Sequence, residues 1–217
     1  MLERFDAIVF DWDGTLIDST AAIARAIQSA AADLGLPVPD FATASHVIGL
    51  GLQDALTRAV PDLPAARRAE FIARYRYYYA ANEMSLALFP GARELLRDLR
   101  AAGKPLAVAT GKSRVGLARA LQATGLQSCF DVTRCADQTA PKPQPDMLLE
   151  IAAELAVAPA RLLMVGDTTH DLQMAVAAGA RAVAVTYGAH PRAQLAALAP
   201  LALFDSVQAL HRWLLHG

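Results

Sequence analysis

The chain has 217 residues, of which 54% are hydrophobic and 19% charged, and its formal net charge is -1. That composition supports a sizeable apolar core, as one domain or a core with an insert, and excludes a disordered chain. The near-neutral charge excludes the broad basic face of a general nucleic-acid binder, while leaving room for a local basic pocket that takes a small anion.

In chain order, the first predicted element is a strand at Ala7–Phe10, a short apolar run flanked by acidic residues. It is too short for a signal peptide or a membrane span, so a cytoplasmic protein with no membrane partner is expected. Residues 18 to 86 contain no convincing second strand. Helical patterns cover Ala21–Leu34, Gln53–Ala59 and Ala65–Ala81, with Pro37, Pro39, Pro61 and Pro64 as punctuation. The expected organisation is therefore a helical insert, 18–86, on a core made of 1–17 and 87–217.

From Gly91 onward helices and strands alternate. A helix over Ala92–Ala102 stops at Gly103, a suitable C-cap. Strands follow at Leu106–Ala109, Leu162–Val165 and Ala182–Val185, each nearly continuous in apolar residues, as in parallel strands buried on both faces. Between and beyond them lie helices at Arg114–Ala123, Pro145–Ala156 and Thr168–Ala178. The fold class expected is α/β, a Rossmann-like parallel sheet with a small helical cap inserted after the first strand. Cys129 and Cys135, the only cysteines, lack metal-type spacing and are read as reduced structural thiols.

Four segments carry chemistry, and each follows a predicted strand, where open parallel sheets gather ligands. Asp11-Trp12-Asp13-Gly14-Thr15 puts two carboxylates at i and i+2, on one side of an extended backbone. Such a pair is costly without a cation, and suits a nucleophile beside an acid/base; the alternative is a turn with capping acids. In Gly166-Asp167-Thr168-Thr169-His170-Asp171, Asp167 and Asp171 are about one helical turn apart and suit hard Mg²⁺, or else cap a helix. Thr110-Gly111-Lys112-Ser113 offers a hydroxyl and backbone N–H groups near a helix start, a phosphate site without the upstream glycine of a P-loop. Here Ser113 reads as a cap and Lys112 as surface. In Pro141-Lys142-Pro143-Gln144-Pro145, prolines restrict the backbone around Lys142, whose ammonium can offset phosphoryl charge or simply be solvated. Lysine occurs only at 104, 112 and 142 in an otherwise Arg-based set of cations.

The order of these segments resembles the haloacid dehalogenase superfamily of phosphatases. Asp11-Trp12-Asp13-Gly14-Thr15 looks like its first motif, Thr110 its second, Lys142 its third and Gly166-Asp167 to Asp171 its fourth. Ala178-Gly179-Ala180 and Tyr187-Gly188-Ala189-His190 look like the phosphoglycolate phosphatase-like branch, as does a helical cap between the first and second motifs. The resemblance implies that Asp11 takes the phosphoryl group as an aspartyl-phosphate. Asp13 would protonate the leaving oxygen and then activate water. Mg²⁺ would be held by Asp11, Asp167 and the Asp13 carbonyl, with Asp171 in support. Thr110 and the Gly111 N–H would bind phosphoryl oxygens, and Lys142 would balance charge. Family members that dehalogenate lack Asp13, so that activity is not expected.

The implied partner is a small phosphate ester, with 2-phosphoglycolate the most economical choice and no nucleic acid; the chain is expected as a monomer or dimer. A phosphosugar mutase, a pyrophosphatase or nucleotidase, and a non-catalytic phosphate-sensing or protein-binding module are the alternatives. His46 to Gln53, with Gly49 and Gly51, reads as a specificity segment or an ordinary inter-helix turn. Arg74, Tyr75, Tyr77, Tyr78 and Tyr79 cannot share one helix face, so most serve packing or surface. His170 and His190 read as structural or solvated.

Overall fold

A computed structural model describes residues 1–83 and 85–217. Its centre is a six-stranded, all-parallel sheet: β1 (Ala7–Phe10), β2 (Leu106–Thr110), β3 (Val132–Cys135), β4 (Leu162–Gly166), β5 (Arg181–Val185) and β6 (Leu203–Phe204). The strand order is β3-β2-β1-β4-β5-β6, so the α/β parallel-sheet expectation holds. Because β1 is flanked by β2 and β4, the order reverses at β1, and the crevice at its carboxyl end is the natural ligand position.

Alternation along β1 builds the two layers. Ile8 and Phe10 face one side with α5 (Ala92–Ala101), α6 (Arg114–Thr124) and α10 (Val207–His216). Ala7 and Val9 face the other with α7 (Asp146–Glu154) and α8 (Thr169–Ala178). All four β1 side chains are buried, which is why this strand reads as a continuous apolar run rather than an alternating one. Helix α5 contributes Leu95, Leu96 and Leu99, all buried, from a stripe whose opposite face is charged.

Residues 20 to 83 form a second apolar cluster built from α1 (Thr20–Asp33), α2 (Phe41–His46), α3 (Leu52–Ala59) and α4 (Arg68–Glu83). The last predicted helix of this region starts as a 3-10 turn at Ala65–Arg67 before becoming α4. Two passages of chain join this cluster to the sheet. They are tied side by side, with Asp18 N–H donating to Ala87 O at 3.0 Å and Phe89 N–H to Leu16 O at 2.9 Å.

The structure adds elements that the sequence reading lacks: β3, β6, α2, α9 (Arg192–Ala196) and α10. Both cysteines are free, as expected, and Cys135 is buried at the end of β3. Among the described residues no helix is long and apolar enough to cross a membrane.

Leu96 is fully buried beneath the β1 face, so Leu96→Ala should lower unfolding stability by about 2–5 kcal/mol. Chemical denaturation at constant m-value checks this.

Candidate active site

The strand ends bring Asp11, Thr110 and Asp167 together, and two loops and the first turn of α8 deliver Asp13, Lys142 and Asp171 to the same place. All six are buried. Asp11 leaves β1 with its N–H donating to Val165 O at 2.9 Å, so the pairing of β1 with β4 sets its position.

Lys142 is the hub. Its Nζ donates to Asp11 Oδ1 at 2.7 Å and to Asp171 Oδ1 at 2.6 Å, with no side-chain exposure. The expectation of a presented ammonium is met, and the solvated-loop alternative is not. Asp171 also closes a capping box at the start of α8. Its Oδ2 accepts from Thr168 N–H at 3.0 Å and from Thr168 Oγ1 at 2.7 Å. Asp171 is thus both a first-turn acid and a member of the acidic cluster, while the N-cap is Thr168 rather than Asp167. Asp167 accepts from Thr15 Oγ1 at 2.8 Å and from Ala189 N–H at 2.7 Å.

Ligand oxygens of Asp11, Asp167 and Asp171 lie within 4.8 Å of one another. Three carboxylates thus face one ammonium, and Asp11 Oδ2 is buried without a partner. Burial pushes the Asp11 carboxyl well above the usual carboxylate range, with Asp171 and Asp167 adding to the rise against the attraction of Lys142. Asp167 is pushed up to about 7, by burial first and by Asp171 second. Burial works against the Lys142 charge, but Asp11 and Asp171 outweigh it and hold the ammonium above its ordinary range. An all-oxygen set with surplus negative charge fits a hard divalent cation.

Asp13 lies in different surroundings. Its Oδ1 accepts from Ser19 Oγ at 2.7 Å and pairs with Lys112 Nζ at 3.1 Å. Lys112 also donates to Tyr79 Oη at 2.8 Å and lies over that ring. This corrects the reading of Lys112 as surface. Only 11% of its side chain is exposed, because α4 folds back over the loop after β2 and covers it. Burial pushes the Tyr79 phenol up to about 12, with Asp13 adding to it. Thr110 Oγ1 accepts from Lys112 N–H at 3.2 Å, leaving the hydroxyl proton free for a ligand. Ser113 is a cap, as expected, accepting from Gly116 N–H.

The 46–53 segment is the end of α2, a tight turn over 47–51 and the start of α3, and it covers the site. A Cβ on Gly111 would lie 2.4 Å from Leu50 O, so only glycine permits this approach of the two backbones. The histidines are structural. His170 Nε2 and His190 Nε2 lie 3.0 and 2.9 Å from His46 O, and the His46 and His190 rings stack at 4.3 Å. Since His190 Nδ1 accepts from Thr169 N–H at 3.0 Å, neutral His190 carries its proton at Nε2 and donates to the turn. Burial pulls His190 down to about 4. The aromatic cluster is divided: Tyr79 is buried, Tyr75 half-buried, Tyr78 bonds Asp33 at 2.8 Å, and Tyr77 is 67% exposed.

Sequence reasoning missed the roles of Ser19 and Thr168, and assigned none to the Thr15 hydroxyl. Thr15 lies in the turn after Gly14, which has φ +80, and reaches Asp167 only through the fold. Ser19 is likewise met only through the fold.

Proton competition makes cation binding pH-dependent. The raised Asp167 value means the folded metal-free chain holds a proton that the unfolded chain has lost between about pH 4 and 7, so this group's contribution to stability falls as pH rises through that window. A divalent cation displaces that proton. The gain in melting temperature between chelator and added cation should therefore grow from about pH 5.5 to about pH 8. Scanning calorimetry at each pH reads it, and a gain that shrinks with pH would contradict the assignment. Thr15→Val, which removes a hydroxyl donor from Asp167, should weaken cation binding by about tenfold in calorimetric titration.

Residues 8–185 match the haloacid dehalogenase-like hydrolase family. A protein described as probable phosphatase IndB from Dickeya dadantii is 38% identical over 205 residues, covering 92% of this chain and 89% of that protein. Tyrosine-protein kinase PtkA of Mycobacterium tuberculosis is 37% identical, and the match spans 83% of this chain but only 62% of that protein. Phosphoglycolate phosphatase of Escherichia coli K12 is 32% identical over 86% of this chain and 83% of its own length. Among solved structures, a predicted phosphoglycolate phosphatase from Haemophilus somnus superposes with a TM-score of 0.87 at 29% identity, covering 97% of this chain and 98% of that one.

Proposed function

The chain belongs to the haloacid dehalogenase-like hydrolases, and we propose that it is a Mg²⁺-dependent phosphatase of a small organic phosphomonoester that works through a phosphoryl group carried on Asp11. The observation that carries this reading is Asp11 Oδ2, a buried carboxylate oxygen with no partner, in a group whose other members are all engaged. It is the atom free to attack.

In the first step Asp11 Oδ2 attacks phosphorus, the bond to the alcohol oxygen breaks, and Asp13 gives that oxygen a proton. In the second, Asp13 takes a proton from water as the water oxygen attacks phosphorus. The bond to Asp11 then breaks, releasing inorganic phosphate. Thr110 Oγ1 and the Gly111 N–H bind phosphoryl oxygens. Lys142 balances charge on Asp11 and on the phosphoryl group, and fixes the carboxylate it touches. Asp11, Asp167 and the Asp13 carbonyl, with Asp171 beside them, would hold Mg²⁺, which would supply charge neutralisation. Positioning and charge do most of the work in phosphoryl transfer.

Residues 18–86 act as the cap, which excludes water and meets the alcohol. 2-Phosphoglycolate, the ester named by the Escherichia coli relative, is the reference substrate. Hydrolysis is favoured over a mutase because a bisphosphate needs a second cationic subsite. Lys112, the lysine beside Asp13, is already shared between Asp13 and Tyr79. The kinase relative is matched over only part of its length, and its activity is not carried over to this chain. A non-catalytic module gives no account of Asp13 beside the unpartnered Asp11.

Asp11→Asn should abolish steady-state phosphate release from phosphomonoesters. Asp13→Ala should lower kcat by about 10²–10⁴-fold while changing phosphate affinity little. Metal-dependent phosphate release measured for both variants against the parent tests the assignment. An Asp13→Ala enzyme with unchanged kcat would remove Asp13 from its role.

A further inference from the structure

Between the cap and the sheet a cavity of about 560 Å³ opens onto Asp13, Gly111 and Lys112, where the leaving oxygen of the proposed reaction must lie. Its size falls in the ~300–1,000 Å³ range of pockets that enclose drug-sized ligands. Glycolate, with its handful of non-hydrogen atoms, leaves most of that space unfilled. The cap is tied to the core beside this cavity. Tyr79 is bonded to Lys112 at 2.8 Å, the His46 carbonyl is held by His170 and His190, and Leu50 O is packed against Gly111.

The far wall is apolar. Ile23 and Ile27 from α1, Ile48 and Leu50 from the turn, and Ile72 from α4 line it. The charged lining is net acidic: Asp13, Asp54, Glu83 and Asp137 stand against Lys112, Arg76 and Arg119. Lys112 pairs with Asp13 at 3.1 Å and Arg119 with Glu83 at 3.7 Å. Arg76, the third, is exposed, and Asp54 and Asp137 share the lining with it. Glu83 Oε1 is itself buried without a donor among the described residues. A carboxylate entering here meets a net-acidic lining and an apolar wall, whereas a ring or branched chain fills the wall, and a hydroxyl or N–H on it satisfies Glu83.

We propose that this cavity takes the phosphate ester of a bulky, largely apolar, uncharged alcohol, ring-bearing or branched, in preference to the ester of a short anionic alcohol such as glycolate. The inference rests on the phosphatase reading of Asp11 and Asp13 and sets the identity of the alcohol within it. Ile72 is a specificity-determining residue on this view, since it is half-buried and on the wall rather than inside the cap's own core.

The test compares indole-3-ethyl phosphate with 2-phosphoglycolate. With Mg²⁺ present, kcat/KM for the indolyl ester should be at least about tenfold higher, the scale set by burying a few additional methylene-sized groups. Ile72→Gln should lower that ratio by about fivefold, and Ile72→Leu should restore it. Both esters are also titrated calorimetrically into Asp11→Asn, where the indolyl ester should bind more tightly and with a negative heat-capacity change. A ratio that favours 2-phosphoglycolate, with phosphate still released, overturns the inference and leaves the phosphatase reading standing. Release from neither ester removes the phosphatase reading. The binding comparison on Asp11→Asn then decides the cavity on its own, and equal or weaker binding of the indolyl ester overturns it.

Discussion

The burial of three carboxylates against a single ammonium is the constraint on which the rest of this structure depends. Asp11, Asp167 and Asp171 are each removed from water, and Lys142 engages only two of them. Such a group is unfavourable unless the fold over-determines it, and the backbone around it does so. A Cβ on Gly14, which has φ +80, would lie 2.2 Å from Asp167 Oδ2, and one on Gly188 would lie 2.1 Å from the same atom. Two loops from opposite ends of the chain therefore close on Asp167 with bare backbone. The Ala189 N–H and the Thr15 hydroxyl complete the enclosure. The residual negative charge is then a feature of the site, answered by a cation rather than by further side chains.

That enclosure explains how two aspartates two residues apart come to have different surroundings, as the proposed reaction requires. Asp11 belongs to the dry, crowded set at the strand ends, where burial and like charges raise its proton affinity in the absence of a cation. Asp13 lies one turn further out, held by Ser19 and Lys112 at the floor of the cavity. A bend at Trp12 separates the two, so the first faces the sheet's crevice and the second faces the space beneath the cap. Divergent surroundings of paired carboxylates are what separates a nucleophile from an acid/base.

The strands that carry the chemistry were legible because each is buried on both faces and so appears as an apolar run ending in a polar residue: Phe10 before Asp11, Ala109 before Thr110, Gly166 before Asp167. Strand β3 was not, since Thr133 and Arg134 interrupt it and face α6 and α7 through polar contacts, including Arg134 to Glu150 at 2.6 Å. Strand β6, two residues long, carries no period at all. Helix α10 does show Val207, Leu210 and Leu214 on one face behind the Ser206 cap, a pattern within reach of the same reasoning. The burial of Lys112 lay beyond it. A lysine in a Gly-Lys-Ser turn reads as solvated, and only the return of α4, which brings Tyr79 across from 33 residues earlier, takes it out of water. The histidine contacts at the His46 carbonyl are likewise products of three separate elements meeting.

The division of labour between sheet and insert has a consequence for how such a chain can change. The phosphoryl end is built from strand termini whose positions are fixed by the sheet, so its residues cannot shift without disturbing the core. The alcohol end is built from the insert, but Ile23, Ile27, Ile48 and Leu50 on the cavity wall are also members of the apolar cluster that holds the insert's helices together. Replacing one of them to suit a different alcohol removes packing from the cap at the same time. Ile72 and Tyr75 line the same cavity and are packed against that cluster without being fully buried in it. A new specificity with the least loss of cap stability therefore runs through α4, the helix that also carries Tyr79 to Lys112 and closes the insert over Asp13.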